Sequence, residues 1–280
     1  MRLLVTGAGG MLGTDVVYAA AGHEVIALAR AELDVADAAA VDATLAGARP
    51  DAVIHCAAWT DVDGAEASEA AATAVNGAGA GHVAAAAARA GAHTVHVSSD
   101  YVFDGRANEP YTEHAVTDPL SAYGRSKLAG EVAVAEAAPG AHAIVRSSWL
   151  FGVHGRNFVD TMLRLGGERD EVTVVDDQVG CPTYTGHLAP ALVQIAEQRL
   201  TGVLHVAGAG GCSWWELARA TFERAGIDCA VRRGSTAELG RPAPRPAFSV
   251  LRSTRADAPS LPSWREGLEA HLTARGVLVS

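Results

Sequence analysis

No two cysteines of this sequence form a C-x-x-C pair: Cys56, Cys181, Cys212 and Cys229 are scattered along the chain. That spacing speaks against a zinc ribbon or a thioredoxin-type redox pair, and isolated thiols fit a reduced, cytoplasmic protein better than a secreted disulfide scaffold. The eleven histidines include no H-x-x-x-H spacing, so no metal is assigned. Basic residues are outnumbered, 22 against 32 acidic, for a formal net charge of −10. Nucleic acid and an anionic membrane surface are therefore not expected partners, although a local basic pocket for a phosphate is compatible with this balance. A signal peptide is not expected either, because the apolar start Arg2-Leu3-Leu4-Val5-Thr6 breaks at once into glycines. The charge-poor stretch from Ala70 to Ala92 is interrupted by Asn76, His82 and glycines, which makes it a packed helix rather than a membrane span.

What is present is an ordinary globular composition, 49% apolar and 19% charged over 280 residues, enough for one large α/β unit or two modest domains. Leu3-Leu4-Val5 reads as a buried strand, Thr6-Gly7-Ala8-Gly9-Gly10-Met11-Leu12-Gly13 as a glycine loop, and Thr14 to Ala20 as a helix. Strand, glycine loop and helix form the context of a dinucleotide fingerprint. Gly7 allows the tight turn, Gly10 the close approach of backbone to a pyrophosphate, and Gly13 the packing of helix on strand. The helix N-terminus beside Met11 and Leu12 offers free N–H groups and positive dipole to phosphates.

The strand Glu24 to Leu28 ends at Ala29-Arg30. An arginine here accommodates a ribose 2′-phosphate, so NADPH is the expected cofactor. Arg30 as a solvated strand end, with Glu32 serving NADH, is the alternative. In Asp34-Val35 the carboxylate either meets the adenine amino group or caps a helix. The strand Ala52 to His55 runs into Cys56-Ala57-Ala58-Trp59-Thr60, where small residues let a cofactor lie against backbone. Asn76 either bonds backbone near the site or is a helix residue without a role.

The apolar run His93 to Val97 reads as a strand presenting Ser98 and Ser99 at its C-terminal end. Tyr123 and Lys127 then stand one helical turn apart, Cβ atoms about 5–6 Å from each other. An ammonium so placed is expected to lower the phenol's pKa from about 10, and a strand-end hydroxyl can hold the same substrate oxygen. By spacing alone this is an ordinary surface pair; the glycine motif is what shifts the balance.

Together these residues resemble the extended short-chain dehydrogenase/reductase family, carried by Thr6 to Gly13 and by Tyr123 with Lys127. Further matches are Cys56-Ala57-Ala58-Trp59-Thr60, Ser98-Ser99-Asp100-Tyr101-Val102-Phe103, Tyr123 to Glu131, Arg146 to Gly152, Asn157-Phe158, Asp177 to Thr183, and Arg245-Pro246 with Ser249.

The resemblance implies a Rossmann-like doubly wound parallel sheet of α/β class with a smaller C-terminal substrate-binding part. Residues 1–150 form the dinucleotide-binding domain, and 151–280 a substrate-binding portion interleaved with later elements of the first. It implies reduction of the C4 ketone of a dTDP-4-keto-6-deoxyhexose by NADPH, with NADH as alternative donor. Tyr123 is then the general acid, Lys127 its pKa partner and a ribose ligand, and Ser99 stands where the family usually has threonine. Gly7, Gly10, Met11, Leu12, Arg30, Asp34, Val35, Ala57, Ala58, Thr60, Tyr123 and Lys127 fall on the cofactor. Ser99, Asp100, Tyr101, Trp149, Asn157, Gln178 and Arg245 fall on the substrate.

Related 4,6-dehydratases place a glutamate where this chain has Tyr101, and reductive epimerases need a Cys and a His that Asp100 and Tyr101 do not supply. Other readings stay open: a reductase of a different dTDP-keto sugar, or a non-catalytic NADP-binding regulatory subunit of the same fold. Trp149 is either a sugar-packing residue or core, and Trp214-Trp215 looks like core or interface. The segment Arg241-Pro242-Ala243-Pro244-Arg245-Pro246 is an ordered loop that brings Arg245 to a diphosphate, or a solvated linker. Relatives of this architecture are commonly homodimers.

Overall fold

The computed structural model describes residues 1–278; Val279 and Ser280, at the end of the expected substrate-binding portion, lie outside the described residues. The first half alternates strand and helix: β1 (Arg2–Thr6), α1 (Met11–Ala19), β2 (Glu24–Leu28), α2 (Ala38–Ala48), β3 (Ala52–His55), α3 (Val62–Ala67), α4 (Glu69–Thr73), a π-helical stretch Ala74–Gly79, α5 (Ala80–Arg89), β4 (His93–Ser99), α6 (Ala122–Ala137) and β5 (His142–Ser147). The second half contains β6 (Leu150–Phe151), α7 (Phe158–Glu168), β7 (Glu171–Val175), β8 (Val179–Gly180), β9 (Thr183–Tyr184), α8 (Thr185–Gln198), β10 (Gly202–His205), β11 (Cys212–Ser213), α9 (Trp214–Ala225), β12 (Ala230–Gly234), α10 (Thr236–Leu239) and α11 (Trp264–Ala274).

Six strands form one parallel sheet in the order β10-β5-β4-β3-β1-β2. Strands buried on both faces need unbroken apolar runs, and Leu3-Leu4-Val5 and Ala52-Val53-Ile54 are fully buried. Helices α1 and α8 cover one face through Val16, Leu188, Leu192 and Ile195. On the other, α2 and α5 pack Val41, Leu45 and Val83 on Leu4 and Val53, and α6 packs Val134 near Ile144. The chain leaves β1 toward β2 on one side and returns to β3 on the other. That reversal opens a crevice at the strands' C-terminal ends, where doubly wound sheets bind ligands.

Around that edge lie three two-stranded ribbons, β8–β11, β7–β12 and β6–β9. The alternation in Glu171-Val172-Thr173-Val174-Val175 corresponds to β7, with Val172 and Val174 inward. The first helix begins at Met11 rather than Thr14, because Gly10 takes the extended N-cap position. Ala70 to Ala92 is packed helix as expected, interrupted by the π-helical stretch around the buried Asn76. Among the described residues no helix is long and apolar enough to cross a membrane.

A pair of histidines lies inside the sheet. His55 and His96 are register partners on β3 and β4 and stack with ring centroids 5.3 Å apart. Burial pushes His55 down to about 3 and His96 well below its usual value. The unfolded chain binds protons at both imidazoles below about pH 6.5, whereas the folded chain does not. Stability is therefore retained above that pH and lost as pH falls from 6.5 toward 3, by up to ~1.4 kcal/mol per pH unit per histidine. Urea unfolding between about pH 7.5 and 5 should show this slope. His96→Leu should roughly halve it; an unchanged slope would place the acid lability elsewhere.

Candidate active site

Helix α6 starts where the Ser121 side chain accepts from Gly124 N, and it lies against the end of β4. Lys127 Nζ donates to Val97 O at 2.7 Å. Tyr123 sits edge-on to Tyr101, centroids 5.4 Å apart at 81°. Asn76 Oδ1 accepts from Trp59 N at 2.8 Å while its Nδ2 donates to Ser126 Oγ at 2.9 Å. Ser126 in turn donates to Tyr123 O at 2.7 Å. Asn76 thus ties the loop after β3 to the turn of α6 that carries Tyr123, and of its two open readings the first describes its place.

The phenol's electrostatics differ from the expectation. Burial pushes Tyr123 up to about 12, the nearby Ser99 hydroxyl pulls it down, and the Asp100 carboxylate adds to the rise. Lys127 contributes no lowering, because its ammonium is turned to Val97 O, and burial brings Lys127 itself down to about 8. The Tyr123 oxygen is accordingly held as a protonated donor. Tyr101 is raised further by burial and then by Asp100.

Asp100 is 1% exposed and its two oxygens are occupied. Ser99 Oγ donates to Oδ1 at 3.0 Å; Ser148 Oγ and Ser249 Oγ donate to Oδ2 at 3.0 and 2.6 Å. Burial still raises its pKa to about 6, against the opposing pull of the three hydroxyls. Asp100 is therefore turned into the protein, away from a substrate.

On the crevice side, Gly7 has φ 68°, and a Cβ there would lie 2.6 Å from Ala57 N. A Cβ on Gly13 would lie 2.1 Å from Gly7 O, so only glycine lets α1 start against this loop. Gly10 caps α1 with no side-chain hydrogen bond, which leaves the N–H groups around Met11 and Leu12 open to a pyrophosphate. Arg30 is exposed at the end of β2, while Glu32 is engaged by its own turn, accepting from Ala29 N at 2.8 Å. Asp34 Oδ1 accepts from Ala36 N; the N-cap of α2 is Asp37, not Asp34. Val35 is buried, Ala57 and Ala58 are half-buried, and Thr60 is exposed beside the same edge. These residues fit a dinucleotide: glycine cradle, uncapped helix end and exposed cation lie at one end of the sheet. Among the described residues no cluster of three or more His, Cys, Asp or Glu could hold a metal ion.

The expected substrate residues are placed unevenly. Trp149 adopts a left-handed backbone, φ 48°, and stacks on Trp214 with centroids 3.6 Å apart and planes 3° from parallel. Trp214 packs against the core around α7 and α9, as expected of core, and carries Trp149 on the face of its ring. Asn157 spends its amide as the N-cap of α7, accepting from Asp160 N and donating to Gly152 O. Gln178 is buried, accepting from Trp214 Nε1 and donating to Thr236 Oγ1. Arg245 does not stand open toward a diphosphate. Its Nη1 and Nη2 each bond the Asp63 carboxylate at 3.0 Å, which makes Arg241 to Pro246 an ordered loop strapped to α3.

The family model described as RmlD substrate binding domain matches residues 1–276. The chain belongs to the RmlD substrate-binding-domain family. A Mycobacterium tuberculosis dTDP-4-dehydrorhamnose reductase is 46% identical over 285 residues, covering 98% of this chain and 93% of the relative. A Streptomyces niveus dTDP-4-keto-6-deoxy-D-glucose reductase is 45% identical over 253 residues, covering 89% and 88%. The crystal structure of the Bacillus anthracis dTDP-4-dehydrorhamnose reductase in complex with NADP superimposes with a TM-score of 0.95 at 38% identity, covering 98% of this chain and 99% of that one.

In this RmlD-family chain the sequence reading missed Ser148 and the role of Ser249 as Asp100 donors, the Glu131–Arg146 pair, and Asp63 as the anchor of Arg245. Only the apolar surroundings of Asp100 and Glu131 hinted that each needs a partner; which partner is a matter of packing. Ser249→Ala should lower stability by about 1.5–3 kcal/mol at about pH 8, where Asp100 is ionised, and by roughly 1 kcal/mol at about pH 5, where it is protonated. Urea titrations of both chains at the two pH values check this, and equal losses would contradict it.

Proposed function

We propose that the protein is an NADPH-dependent reductase of a dTDP-4-keto-6-deoxyhexose, converting dTDP-4-dehydro-L-rhamnose to dTDP-L-rhamnose, with NADH as a second donor. The observation that carries the mechanism is the Tyr123 phenol, held protonated beside Ser99 at the C-terminal edge of the sheet that also bears the glycine loop. The reduced nicotinamide supplies the hydride that reaches the C4 ketone. As charge develops on the ketone oxygen, Tyr123 Oη donates its proton. Ser99 is the group we assign to the charge developing on that oxygen, its hydroxyl swinging from Asp100 to the substrate, while the Lys127 ammonium, held on Val97 O, is assigned to the cofactor ribose. A donor held near 12 keeps its proton throughout the neutral range. The scaffold for this donor is the chain Trp59–Asn76–Ser126–Tyr123.

Gly7, Gly10, Met11 and Leu12 would hold the pyrophosphate, Arg30 the 2′-phosphate, Asp34 and Val35 the adenine, and Ala57, Ala58 and Thr60 the middle of the dinucleotide. The engagement of Glu32 by its own turn supports Arg30 as the discriminating residue. On the substrate side we assign Tyr101 and the stacked Trp149 to the sugar. Arg245 joins them when a diphosphate exchanges with the Asp63 carboxylate. Four free thiols suit a reducing cytoplasm. The relatives named as reductases of dTDP-linked sugars support this substrate class.

Tyr123→Phe should lower turnover by about 10²–10⁴-fold while changing NADPH affinity little. NADPH consumption with the keto sugar, paired with fluorescence titration of NADPH, measures both, and near-normal turnover would overturn the role. Arg30→Ala should weaken NADPH about tenfold and leave NADH nearly unchanged. Parallel titrations decide this; equal effects on the two cofactors would remove Arg30 from the 2′-phosphate.

A further inference from the structure

Helix α6 carries a buried carboxylate in line with Tyr123 and Lys127. Glu131 lies one further turn along, is 4% exposed, and has both oxygens engaged. Ser98 Oγ donates to Oε1 at 2.5 Å, Arg146 Nε donates to the same oxygen at 2.9 Å, and Arg146 Nη2 donates to Oε2 at 2.6 Å. Ser98 follows Val97, whose carbonyl accepts from Lys127, and precedes Ser99. The two buried groups one turn apart on α6 are thus fastened to consecutive residues at the end of β4, one through its ammonium and one through its carboxylate.

The surroundings of Lys127 contain little else to balance a positive charge. His55 on β3 and His96 on β4 are kept neutral by burial, and Cys56 after β3 is kept protonated, its thiol pushed up to about 12. Arg146 on β5 is a cation, but it is spent on Glu131. Tyr123, on the same helix, is held neutral. Glu131 is the carboxylate that favours the charged form of Lys127 against burial.

We propose that Glu131 is a positioning residue of the active site: it keeps Lys127 an ammonium and sets the spacing between α6 and the strand end that presents Ser99. The kinetic half of the test rests on the reductase reading; the other half does not.

Glu131→Gln alone leaves the buried Arg146 without its carboxylate, which by itself destabilises the fold. The informative variant is therefore Glu131→Gln combined with Arg146→Met, which removes both charges and is expected to stay folded by circular dichroism. In the intact protein turnover should fall as pH rises through about 8, where Lys127 loses its proton. In the double variant that alkaline limb should move down by about one pH unit, with kcat falling more than KM rises, and Glu131→Asp should restore it.

The second readout is the stability difference between chains with Lys127 and with Lys127→Met. The folded pKa of Lys127 lies below the unfolded value, so this difference is flat at low pH and rises with pH above the folded pKa. Its onset should move down by about one pH unit in the double-variant background. An unmoved onset, or an unmoved alkaline limb in an active double variant, overturns the proposal. A shifted onset in a protein that reduces no dTDP-keto sugar upholds Glu131 and removes the reductase reading instead.

Discussion

A buried carboxylate without a cationic partner governs the C-terminal edge of this molecule. Asp100 directly follows β4, and its oxygens receive hydroxyls from Ser99 beside it, from Ser148 just past β5, and from Ser249 roughly half the chain away in sequence. A carboxylate there is tolerable only if enough donors surround it. Satisfying it draws three segments to one point. Ser148 also accepts from Cys181 N, and Ser249 N bonds Val179 O, so the same point anchors the ribbon of β8. This acidic group is one of the points that register the rest of the chain on the main sheet; the Arg245–Asp63 pair is another.

The consequence for chemistry is a division of labour along β4 and α6. Burial raises the phenol's affinity for its proton, Ser99 opposes it, and Asp100 adds to the rise. The Ser99 hydroxyl donates to Asp100 Oδ1 and its oxygen accepts from Tyr101 N, which fixes it at the strand end. One turn and two turns farther along the helix, Lys127 and Glu131 are pinned to Val97 and Ser98. The strand end is thereby read twice, by backbone carbonyl and by side-chain hydroxyl, and neither α6 nor β4 can slide without breaking charged hydrogen bonds in a dry interior. Such rigidity suits proton transfer, which depends on heavy-atom positions held to a fraction of an ångström.

On the substrate side the same logic of mutual satisfaction explains why several polar residues turn inward. Asn157 at the start of a helix finds the free N–H of Asp160 nearer than any ligand. Gln178 fills its amide with Trp214 and Thr236. Arg245 finds Asp63 across the loop. The strained Trp149 is half-buried, its ring lying against Gly180 and braced by the parallel ring of Trp214. A bulky side chain kept at positive φ is sustained only when the surrounding packing over-determines it.

The elements themselves were legible in the amino-acid sequence because they rest on short-range physics. Leu3 to Val5 and Ala52 to Ile54 are apolar runs that only a doubly covered strand can bury, and the glycine spacing of Gly7, Gly10 and Gly13 reflects close backbone contacts within a single turn. The one-turn spacing of Tyr123 and Lys127 follows from helix geometry. Hydrogen-bond partners distant in sequence were not legible, because many polar residues of the right type compete and only packing selects among them. Ser249 for Asp100, Asp63 for Arg245 and Trp214 for Trp149 are such choices. The sign of the Tyr123 shift belongs with them: the sequence places an ammonium one turn away, but only the tertiary structure turns that ammonium to Val97 O and surrounds the phenol with enough protein for desolvation to outweigh the charge.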